Sequence, residues 1–350
     1  MLIVTECLET LQVGERAYGA MAGLALGDAL GMPTQSMSAA CIRRYYGGSI
    51  TTLMDAVPQQ PIAPNMKAGA VTDDTEQAFV LAHRLIEDGG NLDNARYARD
   101  LLQWEADMKA KGSLDLLGPS TKAALQKLTE GASLEETGRF GTTNGGAMRA
   151  TPVGIAFRPG EALADAAWRS CVVTHNTVQG IESTTLVASA VSFAIEGERD
   201  FLRRAVDFVQ ALPRRGNWSA KASVLARVRH FMDWAEQGGH DLDDDEFALA
   251  LQRDCGTSVE SNESVAAAFA IATRFFGEPT RALCFAASIG GDTDTIGAIT
   301  GAMLGAWHGA QGFAASMLGQ VLLQLKEYNH LDLGATVTAL CALRDADDGR

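Results

Sequence analysis

The sequence predicts an all-α protein, and two observations support this fold class. Apolar residues recur at the 3.6-residue spacing of amphipathic helices along almost the whole chain. Alternating runs rich in Val, Ile and Thr, which are typical of strands, are nearly absent. The 350 residues are 47% hydrophobic and 21% charged, which is ample material for a large core. We therefore expect residues 1–350 to form a single soluble helical domain.

The apolar periodicity places the helices one after another. The first is predicted over Val13–Gly31, and a long loop that contains Pro58, Pro61 and Pro64 follows it. Long ordered loops often carry function, so this loop is expected to form the lid or wall of a site. A second helix over 75–88 ends at the glycine pair 89–90. Further helices are predicted over 93–110, 120–130, 161–171, 178–196, 200–211, 219–237, 244–253, 263–276, 279–287, 294–310, 312–326 and 333–345.

The charge and the cysteines restrict the partners and the compartment. A formal net charge of -14 opposes attraction to phosphate backbones and to anionic membranes, so neither a nucleic-acid polymer nor a membrane is expected as a partner. The longest apolar run, 296–307, is shorter than the roughly 20 residues of a spanning helix. The six cysteines have no close pairing, which predicts reduced thiols in a cytoplasmic protein.

Two short stretches, TDDT at 72–75 and DTDT at 292–295, place carboxylates and threonines beside apolar helix faces. Buried carboxylates repel one another and lose solvation, which is costly unless a cation compensates. Their oxygens suit a hard divalent ion such as Mg²⁺ or Mn²⁺. The candidate donors are Thr72, Asp73, Asp74, Asp292, Asp294 and Thr295. The alternative is that Asp73 and Asp292 are helix N-caps and their neighbours are exposed first-turn acids.

A row of glycines follows the second acidic stretch. Gly297, Gly301, Gly305 and Gly309 recur at every fourth position of a predicted helix, so one face of this helix has no side chains. A bare face lets a neighbouring helix approach closely. We expect this helix to pack tightly in the core.

The sequence resembles the ADP-ribosylglycohydrolase family from about Glu15 to Gly309. Five motifs carry the resemblance, in this order along the chain: GLALGDALGMP, TDDT, NGGAMR at 144–149, TH at 174–175 and GGDTDTIGA. The resemblance implies a compact orthogonal multi-helix fold with a central cleft that holds two Mg²⁺ or Mn²⁺ ions. Thr72, Asp73 and Asp74 would bind the metals from one side, and Asp292, Asp294 and Thr295 from the other.

The resemblance also implies a reaction, which is hydrolysis at the anomeric carbon of a ribose attached through N or O. The metals would hold the ribose hydroxyls and position a water, and Asp73, Asp74 or Asp294 would accept the proton. Asp28 would orient a ligand or a bound water. Arg149 is expected to pair with a site carboxylate, and the helix start GPST at 118–121 could bind an anion. The substrate-binding residues would be Gln35, Asn144, Gly145, Gly146, Ala147, Met148 and His175.

Gln35 departs from the family pattern. Many members carry a glutamate at the equivalent position, whereas glutamine cannot accept a proton at neutral pH. Three functions stay open: a hydrolase of ADP-ribosylated protein or small-molecule substrates, a nucleosidase for smaller ribosides, and a catalytically weakened, crystallin-like relative. A cleft without basic groups for a diphosphate would favour the nucleosidase. Arg43, Arg44 and Lys122 are the candidates for phosphate contacts.

Overall fold

The computed structural model describes residues 11–111 and 117–347, and it confirms the all-α class. Eighteen α-helices lie in these ranges. The first nine are α1 (Val13–Gly31), α2 (Ala39–Tyr46), α3 (Asp73–Glu87), α4 (Asn94–Ala110), α5 (Pro119–Thr129), α6 (Leu134–Thr137), α7 (Gly145–Met148), α8 (Thr151–Ala156) and α9 (Glu161–Val172). The others are α10 (Val178–Ile195), α11 (Phe201–Ala211), α12 (Val224–Gln237), α13 (Asp244–Ala250), α14 (Ser261–Arg274), α15 (Pro279–Ala286), α16 (Thr293–His308), α17 (Ala315–Gln324) and α18 (Leu333–Asp347).

Two very short strands form a small sheet within the described residues. β1 (Met37–Ser38) and β2 (Gly290–Gly291) pair antiparallel, with Met37 opposite Gly291 and Ser38 opposite Gly290. The pair joins the segment after α1 to the segment before α16. It therefore holds the segment that follows Gln35 next to the segment that precedes Asp292.

The packing of α1 against α16 is the central contact of the fold. A Cβ atom added to Gly27 would lie 2.0 Å from the carbonyl oxygen of Gly297, so the two backbones touch. The same relation recurs along both helices and pairs Gly19 with Gly305, Gly23 with Gly301, and Gly31 with Thr293. The bare face predicted on α16 thus packs closely, and the matching row on α1 is the surface that it packs against.

The core is built from helices that are buried on almost every side. The helix α10 is long and apolar enough to cross a membrane by length and composition, but 94% of its residues lie inside the protein. Such burial is typical of the central helix of a large helical core. Its serine and threonine hydroxyls return hydrogen bonds to nearby carbonyls, as Thr184 does to Gly180 at 2.7 Å.

The structure differs from the predicted helices mainly in short elements and in boundaries. The short helices α2, α6, α7 and α8 were not predicted, because four to eight residues are too few for a clear apolar period. The helix predicted over 219–237 begins at Val224, where the Ser223 hydroxyl accepts a hydrogen bond from the Ala226 amide. The helix predicted over 244–253 ends at Ala250 and continues as a π turn through Cys255.

Candidate active site

Asp28 connects α1 to the first turn of α3. Its buried carboxylate accepts hydrogen bonds from the amide nitrogen of Thr72 at 3.0 Å and from the Thr72 hydroxyl at 2.8 Å. It also accepts from the amide nitrogen of Thr75 at 3.1 Å and from the Thr75 hydroxyl. Asp28 thus fixes the backbone and the hydroxyl of a candidate metal-binding residue. This position agrees with the orienting role expected for Asp28.

Helix capping does not account for the acids in the two stretches. The N-cap of α3 is Thr72, whose hydroxyl accepts from the Asp74 amide at 3.4 Å, so the alternative reading of Asp73 as the N-cap is wrong. Asp292 occupies the N-cap position of α16 but makes no side-chain capping bond. Its carboxylate instead accepts a hydrogen bond from the Asn144 amide at 2.5 Å.

The first turns of α3 and α16 meet at one cleft of about 330 Å³. The Thr295 hydroxyl donates to the Asp74 carboxylate at 3.3 Å, although the two residues lie 221 positions apart. Four of the candidate carboxylates and one hydroxyl line this cleft: Asp73, Asp74, Asp292, Asp294 and Thr295. Thr72 lies beneath them, buried between Asp28 and Asp74.

The pKa is raised for two cleft carboxylates, Asp74 and Asp292, and for the buried Asp28 behind them. Burial and the negative charges of Asp294, Asp73, Asp28 and Asp292 raise the pKa of Asp74 well above its usual range. Burial raises the pKa of Asp28 to about 6, against the opposing effect of its four hydrogen bonds. Burial raises the pKa of Asp292 to about 6 as well. The cluster therefore favours any neighbouring positive charge.

The donor set fits a hard divalent cation. Carboxylate and hydroxyl oxygens are the ligands that Mg²⁺ and Mn²⁺ prefer, and one carboxylate oxygen of Asp74, Oδ1, is buried without a hydrogen-bond partner. Within the described parts of the chain, however, no three His, Cys, Asp or Glu side chains already form a metal-binding group. Threonine oxygens or turned carboxylates would have to complete the coordination.

The segment 143–148, which includes the short helix α7, forms the opposite wall. Three of the expected residues line the cleft: Asn144, Gly145 and Met148. Thr143 lines it as well, although the sequence motifs did not predict this. Two other expected contacts, Gly146 and Ala147, are buried and do not belong to the cleft lining. A Cβ atom on Gly146 would meet the Thr184 hydroxyl at 2.3 Å, so this glycine serves the packing of α7 on α10.

His175 lies behind this wall and is completely buried. Its ring contacts the place where a side chain of Gly145 would be, at 2.7 Å, and it hydrogen-bonds to Thr143 and Thr174. Burial, and then the positive charge of Arg149, hold the pKa of His175 well below its usual range, so the ring is neutral. The structure therefore does not place His175 where it would touch a substrate, contrary to the expectation from the TH motif.

Arg149 makes different contacts from those expected. It is fully buried, and it donates to the side-chain oxygen of Gln77 at 2.8 Å and to the Thr174 hydroxyl at 2.6 Å. It reaches the site indirectly, because the Gln77 amide donates to the Asp73 carboxylate at 2.7 Å. The prediction of a direct pair between Arg149 and a site carboxylate is wrong. A glutamine one turn after Asp73 on α3 was the signal that the sequence offered.

Gln35 and the proline-containing loop form a third side of the cleft. Gln35 is 5% exposed and lines the cleft, and its side-chain nitrogen is buried without a hydrogen-bond partner. Gln60, from the loop, donates to the Gln35 carbonyl at 3.0 Å, and Ile62 also lines the cleft. The loop thus forms a wall of the site.

One of the three basic candidates reaches the cleft. Lys122 lines it together with Gly118 and Pro119, which begin α5. Arg43 forms an ion pair with Asp245 at 2.7 Å and lines a different cavity. Arg44 lies over the ring of Tyr45. The cleft therefore has an acidic end at α3 and α16 and a more positive end at the start of α5.

The helical fold and the similarity to known glycohydrolases define the class, an all-α hydrolase of glycosidic bonds. The chain belongs to the ADP-ribosylglycohydrolase family, whose model matches residues 9–346. An uncharacterized protein of Escherichia coli, YegU, is 30% identical over 94% of this chain and 97% of its own length. ADP-ribosylhydrolase ARH3 of Bos taurus is 25% identical over 85% and 86%. The solved structure of an ADP-ribosylglycohydrolase-related protein complex has the same fold, with a TM-score of 0.70, 23% identity and coverage of 95% and 99%.

Proposed function

We propose that this protein is a divalent-metal-dependent hydrolase that cleaves the bond at the anomeric ribose carbon of an ADP-ribosylated substrate. The observation that carries the proposal is the polarity of the cleft. Its acidic end suits metal-held ribose hydroxyls, and Lys122 with the start of α5 suits the diphosphate. The family match and the similarity to ADP-ribosylhydrolase ARH3 support the choice of substrate.

The chain's own residues have distinct roles in this proposal. Thr72, Asp73, Asp74, Asp292, Asp294 and Thr295 would hold two Mg²⁺ or Mn²⁺ ions. The ions would supply Lewis-acid polarisation and a lowered pKa of bound water. Asp73, Asp74 or Asp294 would take the proton from the attacking water, since Gln35 cannot. Asn144, already bonded to Asp292 at 2.5 Å, would face the ribose from the opposite wall.

A second function, nucleoside hydrolysis, is favoured by one specific observation. Among the cleft-lining side chains that the structure describes, Lys122 is the single cation. A diphosphate that carries two negative charges would therefore meet one full positive charge, whereas a nucleoside would need none.

A substrate panel with matched variants tests the proposal. The purified protein would be incubated with Mg²⁺ or Mn²⁺ and with ADP-ribosyl-arginine, ADP-ribosyl-serine, O-acetyl-ADP-ribose and simple nucleosides. Release of ADP-ribose that is lost on chelation and in Asp74→Asn, but kept in Asp107→Asn on the exposed face of α4, would support it. Release of free base alone would identify a nucleosidase. Metal binding without turnover of any substrate would identify an inactive relative.

A further inference from the structure

A buried polar chain runs behind the cleft from Arg149 to Thr143. Arg149 is fully buried, and its guanidinium can only donate hydrogen bonds. The Thr174 hydroxyl, 2.6 Å from an Arg149 nitrogen, must therefore be the acceptor in that contact. This fixes the donor and the acceptor in the first hydrogen bond of the series. The donors and acceptors of the next hydrogen bonds follow from it.

The single proton of the Thr174 hydroxyl has two possible acceptors. One is the Cys171 carbonyl oxygen at 3.4 Å, and the other is the Nδ1 atom of His175 at 2.8 Å. The Cys171 oxygen already accepts the amide nitrogens of Thr174 at 3.0 Å and of His175 at 2.7 Å, which uses both of its lone pairs. The contact with Nδ1 of His175 is shorter, and this nitrogen has no other donor among the described residues. Thr174 therefore donates to Nδ1 of His175 rather than to the Cys171 oxygen.

The state of the His175 ring then determines the state of Thr143. A neutral imidazole that accepts at Nδ1 carries its proton on Nε2, and Nε2 lies 3.0 Å from the Thr143 hydroxyl oxygen. Thr143 therefore accepts from His175, and its own hydroxyl proton is free to point elsewhere. Thr143 lines the cleft beside Asn144 and Gly145, so this proton can reach a bound molecule.

We propose that Thr143 is a substrate-binding residue that donates a hydrogen bond to an acceptor oxygen of the bound ribosyl phosphate. Thr174 and His175 are positioning residues, because they hold the Thr143 hydroxyl as a donor without touching the substrate. The other arm of Arg149 acts on the opposite wall, where Gln77 receives its hydrogen bond and passes one to Asp73. One buried cation thus orients both sides of the cleft. The substrate assigned to Thr143 rests on the proposed function, whereas the order of the hydrogen bonds does not.

The hydrogen-bond order can be read directly from the His175 ring. Nitrogen NMR of the protein with ¹⁵N-labelled histidine, assigned with a His175→Gln variant, reports which ring nitrogen carries the proton. We expect a neutral ring protonated on Nε2 at pH 7, kept in Thr174→Ser and replaced by mixed tautomers in Thr174→Val. A proton on Nδ1, a charged ring, or an unchanged spectrum in Thr174→Val would overturn this order of hydrogen bonds.

Binding measurements test the donor role of Thr143. Calorimetry with ADP-ribose and Mg²⁺ would compare Thr143→Val, which keeps the shape, with Thr143→Ser, which keeps the hydroxyl. We expect affinity to fall about 10-fold or more in the valine variant and to stay within about 3-fold in the serine variant. The valine variant also leaves the buried Nε2–H of His175 without its acceptor, so binding is measured well below its lowered melting temperature. Binding of free ribose by the valine variant identifies the acceptor. If only ADP-ribose binding falls, the acceptor is a phosphate oxygen. If the binding of both ligands falls, it is a ribose oxygen.

Two outcomes count against these assignments in different ways. Unchanged ADP-ribose affinity in Thr143→Val would overturn the role of Thr143 alone. A wild-type protein that binds no ADP-ribose would overturn the proposed function and with it the substrate assigned to Thr143. The tautomer of His175 would still show whether the hydrogen bonds run from Arg149 to Thr143 in the proposed order, because that measurement needs no ligand.

Discussion

The Thr295 hydroxyl donates a hydrogen bond to the Asp74 carboxylate across 3.3 Å and so joins the first turns of α16 and α3. Neither helix could bring its residue there alone. The contact depends on α1, which packs on α16 through its glycine row and holds α3 through the bonds of Asp28 to Thr72. Because Asp28 directly follows Gly27, one of the close approaches of the two helices lies beside the residue that orients the site.

The first prediction concerns this approach of the helices. We expect Gly27→Ala to destabilise the protein by about 3 kcal/mol or more, because its methyl group would lie 2.0 Å from the Gly297 carbonyl oxygen. A rigid backbone atom cannot move aside as a flexible side chain can. The roughly 1 kcal/mol by which alanine favours a helix over glycine does not offset this clash. Urea unfolding measures the free energy.

The matched control is Gly14→Ala, which lies on the same helix with nothing within 4 Å of the added methyl group. It should leave the stability unchanged or raise it by up to about 1 kcal/mol. Equal effects at Gly14 and Gly27 would contradict the packing of α1 on α16.

The second prediction concerns divalent cations. We expect Mg²⁺ or Mn²⁺ to stabilise the chelated protein by about 3 kcal/mol at a hundredfold excess over its dissociation constant, because a ligand that binds only the folded state adds its binding energy. Asp74→Asn should lose most of this gain, whereas Asp107→Asn should keep it. Thermal and urea unfolding with and without the metal measure the effect. A gain of the same size in both variants would place the cation elsewhere.

The third prediction concerns pH in the absence of metal. Acids with raised pKa values bind protons in the folded state at a pH where the unfolded chain has already lost them. The stability of the folded state therefore falls as pH rises from about 4 to about 6. The fall is roughly 3 kcal/mol for a carboxyl group whose pKa is raised by about two units, as the pKa values of Asp28 and Asp292 are.

The Asp74→Asn variant isolates this contribution from that of the other groups. In chelated samples the variant should be more stable than the wild type at pH 7, and the difference should shrink towards pH 4. Urea unfolding at a series of pH values gives the difference directly. A difference that does not depend on pH would show that the carboxylates of the cleft do not repel one another.

The sequence predicted the acidic end of the cleft better than its polar wall. The acidic end is formed by two short motifs, which contain Asp73, Asp74, Asp292 and Asp294. Each motif indicates its chemistry by itself, because several carboxylates beside apolar helix faces are costly unless a cation compensates them. Thr143 gives no such signal, since its role depends on His175 and Arg149, which only the folded chain brings together. The glycine row of α16 was visible, but its partner on α1 is ambiguous until the two helices are seen in contact.

The fourth prediction concerns the positive end of the cleft. We expect Lys122→Met to weaken ADP-ribose binding about 3- to 10-fold and to leave ribose binding unchanged, because one exposed cation contributes about 1 kcal/mol to a phosphate contact. The loss should shrink in high salt. Lys127→Met, on the same helix but over Phe140 and outside the cleft lining, is the control. Equal losses in the two variants would show only a general effect of charge.

The fifth prediction concerns Gln35, where a carboxylate was expected and an amide is found. Its side-chain nitrogen is buried without a hydrogen-bond partner, so Gln35→Leu should keep or slightly raise the stability. The same change should lower kcat/KM about 10-fold, because the amide can hydrogen-bond only to a bound substrate or water. Gln60→Leu is the matched control: its side chain bonds to the Gln35 carbonyl and the Ile62 amide, so its loss should cost about 1–3 kcal/mol. A Gln35→Leu variant that loses stability while keeping its activity would show that this glutamine supports the fold rather than the reaction.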